Sequence, residues 1–262
     1  MLSLSGVSKN FGGLQVLQNV TLTMPERGIV GLIGPNGAGK TTVFNLITGL
    51  LMPAKGTIEF LGRQLNGMLP YQVTRCGVAR TFQNIRIFKE MSVLENVLVA
   101  LRPPHNYNPA RALLSFAGIH DSRSREEEAA RELLRRVSLI DMVEQPAGTL
   151  SYGAQRRLEI ARALATSPKL LLLDEPAAGM NPVEKQQLME EIINLHQSGL
   201  GILLIEHDMS FVMGICKQII VMNFGQVIAV GSPEEIRQNP RVIEAYLGWD
   251  DEMDRTVPER RS

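Results

Sequence analysis

Apolar positions along this chain follow two rhythms. Near the N-terminus Val16, Val20 and Leu22 are separated by polar residues, the alternation of a half-buried strand. The run over 28–34 (GIVGLIG) is short, apolar and ends in glycine. A Gly-rich stretch follows, then 42–47 (TVFNLI), so strand, loop and helix are expected in that order. A further β stretch is expected over 56–61 (GTIEFL), after Pro53. From about residue 84 to 150 the rhythm becomes helical. Ser92 with Glu95, and Ser124 with Glu127, fit the capping box that opens helices. After Ser124, Ala129, Leu133, Leu134 and Val137 recur at helical spacing. Between the two patterns, 102–109 (RPPHNYNP) predicts a loop. These features predict a helical lobe inserted into an α/β core. The alternation then resumes, with continuously apolar runs at 170–173 and 202–205 that fit strands covered on both faces. Between them, Asn181-Pro182-Val183-Glu184 offers an N-cap, a proline at the first helical position and a capping glutamate. Ser232-Pro233-Glu234-Glu235 repeats that logic, and the polar stretch 251–262 is expected to fray.

Composition narrows the class. A chain of 262 residues fits one large domain, or one core with a smaller lobe. Lys and Arg total 27, as do Asp and Glu, and this balance argues against a protein that grips nucleic acid. The only cysteines, Cys76 and Cys216, exclude a disulfide scaffold, favour a reducing compartment and read as buried side chains. Residues 1–6 lack a basic region followed by an apolar run, so no secretory leader is expected. No apolar stretch approaches the roughly 20 residues of a membrane span.

The chemistry concentrates in Gly34-Pro35-Asn36-Gly37-Ala38-Gly39-Lys40-Thr41-Thr42, which fits the phosphate-binding pattern G-x-x-x-x-G-K-[ST]. Glycines let the backbone wrap a phosphate with successive N–H groups pointing inward. The helix that follows adds its positive end. Lys40 brings a charge to the outer phosphates, and the Thr41 hydroxyl suits Mg²⁺, which prefers oxygen ligands. A chance match in a glycine-rich loop is the alternative, but the strand before and the helix after supply the required context. At 170–175 (LLLLDE) a buried strand ends in two carboxylates. Asp174 can reach the Mg²⁺ side, directly or through water, while a carboxylate beside the terminal phosphate can polarise an attacking water. Solvated acids at a strand end are common, so this signal gains its weight from the phosphate loop.

These two motifs, with Leu150-Ser151-Tyr152-Gly153-Ala154 between them, resemble an ABC-type ATPase. The resemblance spans nearly the whole chain except the polar tail. It implies an α/β, P-loop NTPase (RecA-like) core with an antiparallel β subdomain and an inserted helical subdomain. The boundaries that follow are a cassette over 1–250, with the core at 1–83 and 155–235, the helical subdomain at 84–154, and a tail at 251–262. The family's signature reads L-S-G-G-Q; this chain keeps Ser151 and Gly153 and has Tyr152 and Ala154 at the other two positions. A hydroxyl and a glycine N–H at a helix start suit a γ-phosphate. The resemblance also implies ATP and Mg²⁺ as ligands. Glu175 becomes the catalytic base, Gln83 the sensor of Mg²⁺ and water, and His207 the contact to the γ-phosphate. Asp174 joins Thr41 and Gln83 at the metal. Phe11 would stack on adenine, with core packing as its alternative, and Val16 joins the nucleotide-binding set together with Gly34, Asn36, Gly37, Ala38, Gly39, Lys40, Thr41 and Thr42. Asn181 stands where the family usually carries aspartate.

Narrower strings point further. Residues 151–160 (SYGAQRRLEI), 175–182 (EPAAGMNP), 80–83 (RTFQ) and 245–248 (AYLG) resemble the ATP-binding subunit of branched-chain amino acid importers and near relatives for urea or amides. In that family two cassettes face head to tail, each ATP lying between Lys40 of one and the signature serine of the other. The resemblance implies a second, related cassette, with a homodimer as the other option. It also implies two integral membrane permeases, a solute-binding protein acting indirectly, no nucleic acid, and a position at the cytoplasmic face of the membrane. A soluble ABC ATPase working on DNA or ribosomes and a small-molecule P-loop kinase remain the competing classes. His105, His120 and His196 lack chemical context, Glu126-Glu127-Glu128 reads as a solvated helix face, and Trp249 is expected to pack the C-terminal segment down.

Overall fold

The computed structural model describes residues 1–26, 28–101 and 119–246, the side chains of 119–123 excepted. His105, the loop over 102–109, Leu247, Gly248, Trp249 and the tail over 251–262 lie outside the described residues, as does the side chain of His120.

The alternating N-terminal segment forms β1 (Leu2–Phe11) and β2 (Leu14–Met24), an antiparallel pair joined by a tight turn. β4 (Lys55–Phe60) and β5 (Arg63–Gln64) complete a four-stranded sheet in the order β2-β1-β4-β5. The continuously apolar runs become the centre of a second sheet, because strands buried on both faces need no polar side. β3 (Ile29–Ile33), β7 (Leu170–Asp174) and β8 (Gly201–Ile205) are buried at every position. With β6 (Val78–Arg80), β9 (Gln218–Asn223) and β10 (Gln226–Gly231), the order is β10-β9-β3-β8-β7-β6. All neighbours run parallel except β10 at the edge.

The pleat sends alternate residues of this sheet into two cores. Val30, Leu32, Leu170, Leu172, Leu203 and Ile205 pack toward α1 (Lys40–Ile47) and the antiparallel sheet. Ile33, Leu171, Leu173, Ile202 and Leu204 pack toward the helical side. That side comprises α3 (Val93–Leu101), α4 (Ile119–Arg136) and α5 (Tyr152–Leu164), which pack on one another, together with α6 (Pro182–Gln197) and α7 (Met209–Ile215). Two short helices, α2 (Pro70–Arg75) and α8 (Pro233–Arg237), lie at the margins.

Three of the expected capping boxes form. Ser92 and Glu95 exchange bonds of 2.8 and 3.1 Å, Asn181 and Glu184 bonds of 2.9 and 3.1 Å, and Ser232 and Glu235 bonds of 2.7 and 3.3 Å. The box expected at Ser124 does not open a helix: α4 already runs from Ile119, and Ser124 lies inside it. Strong helix formers (Arg, Glu and Ala) follow this serine, so the helix continues through it. Leu134, and Val137 just past the end of α4, are buried as expected and Leu133 is half-buried, but Ala130 rather than Ala129 completes the buried stripe. Glu127 and Glu128 face outward and pair with Arg131 and Arg135. Cys216 is buried, and burial pushes its thiol up to about 12, whereas Cys76 is only half-buried.

Candidate functional site

Four loops leave the C-terminal ends of β3, β8, β7 and β6, which are consecutive neighbours in the sheet. The ends of β3, β7 and β8 are nearly level, since Leu32 and Asp174 both pair with Ile205, while β6 stops two residues short, with Arg80 paired to Leu172. In an open α/β sheet this edge is where ligands bind. The four loops carry the phosphate-loop glycines, His207, Asp174 with Glu175, and Gln83, so sheet order alone gathers residues that are far apart in sequence.

The phosphate loop begins at Gly34, whose φ of 147° only glycine adopts without strain. A Cβ there would sit 2.0 Å from the Met222 carbonyl oxygen, so β9 holds this turn closed against any side chain. Gly39, at φ 97°, caps α1 without a side-chain bond and faces Leu17, 2.6 Å from its would-be Cβ. The Val16 carbonyl lies beside the same glycine, so β2 backs the loop. With no side-chain cap, the first-turn N–H groups of α1 remain available to an anion. Lys40 is 6% exposed. Its ammonium donates to the carbonyls of Gly34 at 2.6 Å and Pro35 at 2.9 Å. Burial holds its pKa below the usual lysine range, against the opposing influence of Glu175 and Asp174. Asn36, Gly37 and Thr41 are exposed, Thr42 is half-buried, and Ala38 is buried.

Glu175 follows β7 in the left-handed region, at φ 48°. Such a conformation is costly for a non-glycine residue and persists only where surroundings impose it. Here the Glu175 N–H donates to the Ile205 carbonyl at 2.9 Å. The turn aims its carboxylate between two predicted partners. Oε1 lies 2.8 Å from His207 Nε2, and Oε2 accepts from Gln83 Nε2 at 2.9 Å. Asp174, by contrast, is 3% exposed and takes a 2.7 Å ion pair from Arg80 on its Oδ2.

Three buried charged groups that sequence reasoning passed over hold this arrangement. Arg156, fully buried on α5, donates to the Phe82 carbonyl, to the Gln83 carbonyl at 2.8 Å and to Glu159 at 2.7 Å. Glu206, 4% exposed, accepts from the backbone N–H groups of Ala177 at 2.7 Å and His207 at 3.0 Å, tying the loop after Glu175 to the loop carrying His207. Burial raises its pKa, opposed by those N–H bonds. Arg80 is the third. Their one local signal is a charge placed directly beside an apolar run or a recognisable motif. Tyr246, in the helical turn over 240–246, packs near the phosphate loop; burial pushes its phenol up to about 12, against the effect of the Gly34 amide.

The signature residues sit apart, at the start of α5. Ser151 caps that helix, its hydroxyl accepting from the Ala154 N–H at 3.3 Å. Gly153 is buried against Glu184, and a Cβ there would lie 2.9 Å from its carboxylate. Tyr152, 44% exposed, lies over Gly179. Phe11, at the tip of the β1–β2 hairpin, is 45% exposed, with the Lys9 ammonium 5.3 Å from its ring centre. Simple core packing therefore does not describe it. His196 is held by its Nδ1, 3.0 Å from the Leu200 carbonyl.

Among the described residues, no three His, Cys, Asp or Glu side chains cluster as a metal site. Mg²⁺ needs none, since it is commonly held by one or two carboxylates with substrate phosphates and water. The oxygen donors of Thr41, Gln83 and Asp174 fit it in type.

A mixed α/β cassette with a phosphate loop, a strand-end Asp-Glu pair and a helix-capping signature serine is an ATP-binding cassette. The family model described as "ABC transporter" matches residues 17–178, and the chain belongs to that family. It is an ATPase coupled to transport, and it is peripheral to the membrane it serves. A second model, "Branched-chain amino acid ATP-binding cassette transporter", matches residues 226–250. The high-affinity branched-chain amino acid transport ATP-binding protein LivG of Salmonella typhimurium is 49% identical over 95% of this chain and 98% of its own length. The corresponding BraF protein of Pseudomonas aeruginosa is 47% identical over the same shares. Among solved structures, the ADP conformation of an ABC transporter's ATP-binding cassette is 32% identical, with a TM-score of 0.82 over 95% of this chain and 98% of that one. Among the described residues, no helix is long and apolar enough to cross a membrane.

Proposed function

We propose that this cassette powers the import of branched-chain amino acids. The observation that supports the cargo is the match of residues 226–250 to the branched-chain amino acid model, since the phosphate loop is common to all cassettes. The cassette docks at the cytoplasmic face of the membrane on two permease subunits and pairs head to tail with a second, related cassette. A solute-binding protein delivers cargo from the other side. The chain divides into a core over 1–83 and 155–235 and a helical subdomain over 84–154.

ATP lies with adenine on Phe11 beside Val16 and its phosphates in the loop over 34–42, where Lys40 turns from the loop carbonyls toward the outer phosphates. Ser151 and Gly153 of the partner cassette close over the γ-phosphate. Thr41, Gln83 and Asp174 would hold Mg²⁺, which when bound would neutralise charge on the phosphates. Glu175 takes a proton from water as the water oxygen bonds to the γ-phosphorus and the bond to the ADP oxygen breaks. His207 and Gln83, already bonded to the two Glu175 oxygens, orient that base. ATP binding joins the two cassettes, and hydrolysis parts them, moving the permeases through the helical subdomain.

The test is purification from native membranes in mild detergent, followed by reconstitution. Two permeases and a related ATPase should co-purify, and leucine with its binding protein should stimulate ATP hydrolysis. Stimulation by urea or an amide instead would reassign the cargo. Co-purification with ribosomes or DNA would overturn the transport reading.

A further inference from the structure

Arg80 ends β6, and its side chain is 6% exposed. Nη2 donates to Asp174 Oδ2 at 2.7 Å, and Nη1 donates to Asn45 Oδ1, on α1, at 2.7 Å. The guanidinium lies between two aromatic rings, 5.4 Å from the centre of Phe44 and 5.1 Å from that of Phe82. Its Nε, also buried, has no partner among the described residues. This is a cation held from four sides against one carboxylate, and taking both charges out of water carries a desolvation cost.

That carboxylate is the one assigned above to Mg²⁺. A guanidinium on Oδ2 leaves Asp174 with one oxygen free and cancels its charge. Lys40 adds a second cation to the pocket and Glu175 a second carboxylate, so two cations face two carboxylates. A divalent cation approaching Asp174 therefore meets a site whose negative charge is already balanced. The phosphates of the nucleotide are the missing counter-charge.

We propose that Arg80 is a positioning residue that opposes the divalent cation at Asp174. It fixes the carboxylate in place and weakens its hold on the metal, so that metal binding depends on the nucleotide. This rests on the assignment of Asp174 to the metal, and goes beyond it by giving the ion pair a task. Removing one positive charge a few ångströms from a dication in a partly buried site tightens binding about tenfold or more. A lysine loses the fork and the ring contacts but keeps the charge, so it retains most of this electrostatic effect.

The test is Mn²⁺ binding to the full-length cassette with a non-hydrolysable ATP analogue, followed by electron paramagnetic resonance. Arg80→Gln, which is polar but neutral, should bind Mn²⁺ about tenfold more tightly than wild type. Arg80→Lys should stay within about twofold. Thermal unfolding checks that each variant folds. Unchanged or weaker Mn²⁺ binding in Arg80→Gln would overturn the proposal. Should Arg80→Gln fail to fold, Arg80→Met, neutral and of similar length, takes its place: about tenfold tighter Mn²⁺ binding supports the proposal, and unchanged or weaker binding overturns it. The readout is metal binding, so the outcome is independent of the cargo. If the wild-type cassette bound no ATP analogue, the functional reading itself would fail.

Discussion

Glu175 Oε1 and His207 Nε2 lie 2.8 Å apart, across two neighbouring strands whose ends are level. Gln83 occupies the other carboxylate oxygen at 2.9 Å. The base thus has both oxygens committed to groups on other loops. Its direction is set by residues 92 and 32 positions away in the chain.

The first prediction concerns that carboxylate. Glu175→Gln keeps a side chain of the same shape but cannot accept a proton. ATP binding should persist and turnover should fall by about 10²–10⁴, the usual contribution of a general base. The ATP-bound variant should accumulate as a dimer on size-exclusion chromatography. Wild-type hydrolysis rates in Glu175→Gln would remove the base assignment.

Lys40→Ala should act on a different parameter. Lys40 is assigned a charge-assisted contact to the outer phosphates, worth about 1.5–3 kcal/mol. The dissociation constant for ATP should rise by about tenfold to a hundredfold, read by calorimetry. The fold should survive, because the loop is also backed by Met222 of β9 and by Val16 and Leu17 of β2.

Arg156 joins stability to chemistry. Its side chain is 0% exposed and that of its ion-pair partner Glu159 is 8% exposed. Arg156→Met leaves a buried, unpaired carboxylate, which costs about 3–5 kcal/mol. For a chain of this size that lowers the melting temperature by about 6–20 °C. Adding Glu159→Leu should restore most of that loss. Turnover should remain low in the double variant, because the bonds from Arg156 to the Phe82 and Gln83 carbonyls are still missing. Full recovery of turnover with stability would show that Arg156 serves packing alone.

Much of the site was readable before the fold because its motifs are local. The phosphate loop needs glycines at fixed spacing. β7 and β8 announce themselves as runs with no polar position, and the caps at Ser92, Asn181 and Ser232 need only four consecutive residues. Arg80, Arg156 and Glu206 were not readable, because a buried charge is made tolerable by partners on other strands and helices. Arg156 and Gln83 are 73 residues apart, and Glu206 and Ala177 are 29 apart. The failed cap at Ser124 has the opposite origin: a correct local pattern lost to the helix propensity of its neighbours. Sheet order, which gathers the four loops, leaves no trace in any one segment.

The last prediction concerns pH. Asp208 follows His207 and caps α7, accepting from the Ser210 and Phe211 N–H groups at 3.0 and 3.2 Å. Its other oxygen pairs with Lys185 of α6. The Lys185 and Ser210 bonds, with smaller help from the Phe211 amide, hold its pKa well below the usual carboxylate range. A group whose pKa is depressed by folding stabilises the fold above its unfolded value, near 3.9, and loses that contribution as pH falls through the folded value. Asp208→Asn keeps an oxygen for the cap and removes the charge. The difference in melting temperature between wild type and Asp208→Asn should therefore be largest at neutral pH and shrink as pH falls below about 4. The contribution is modest because the pair is partly open to water and screened there, so added salt should narrow the gap at pH 7. A gap that grew on acidification would mean that Asp208 is held protonated, contrary to the four bonds it accepts from Lys185, Ser210 (amide and hydroxyl) and Phe211. Because the α7 cap directly follows His207, Asp208→Asn should also slow hydrolysis while leaving ATP affinity intact, in the same direction as a displaced histidine.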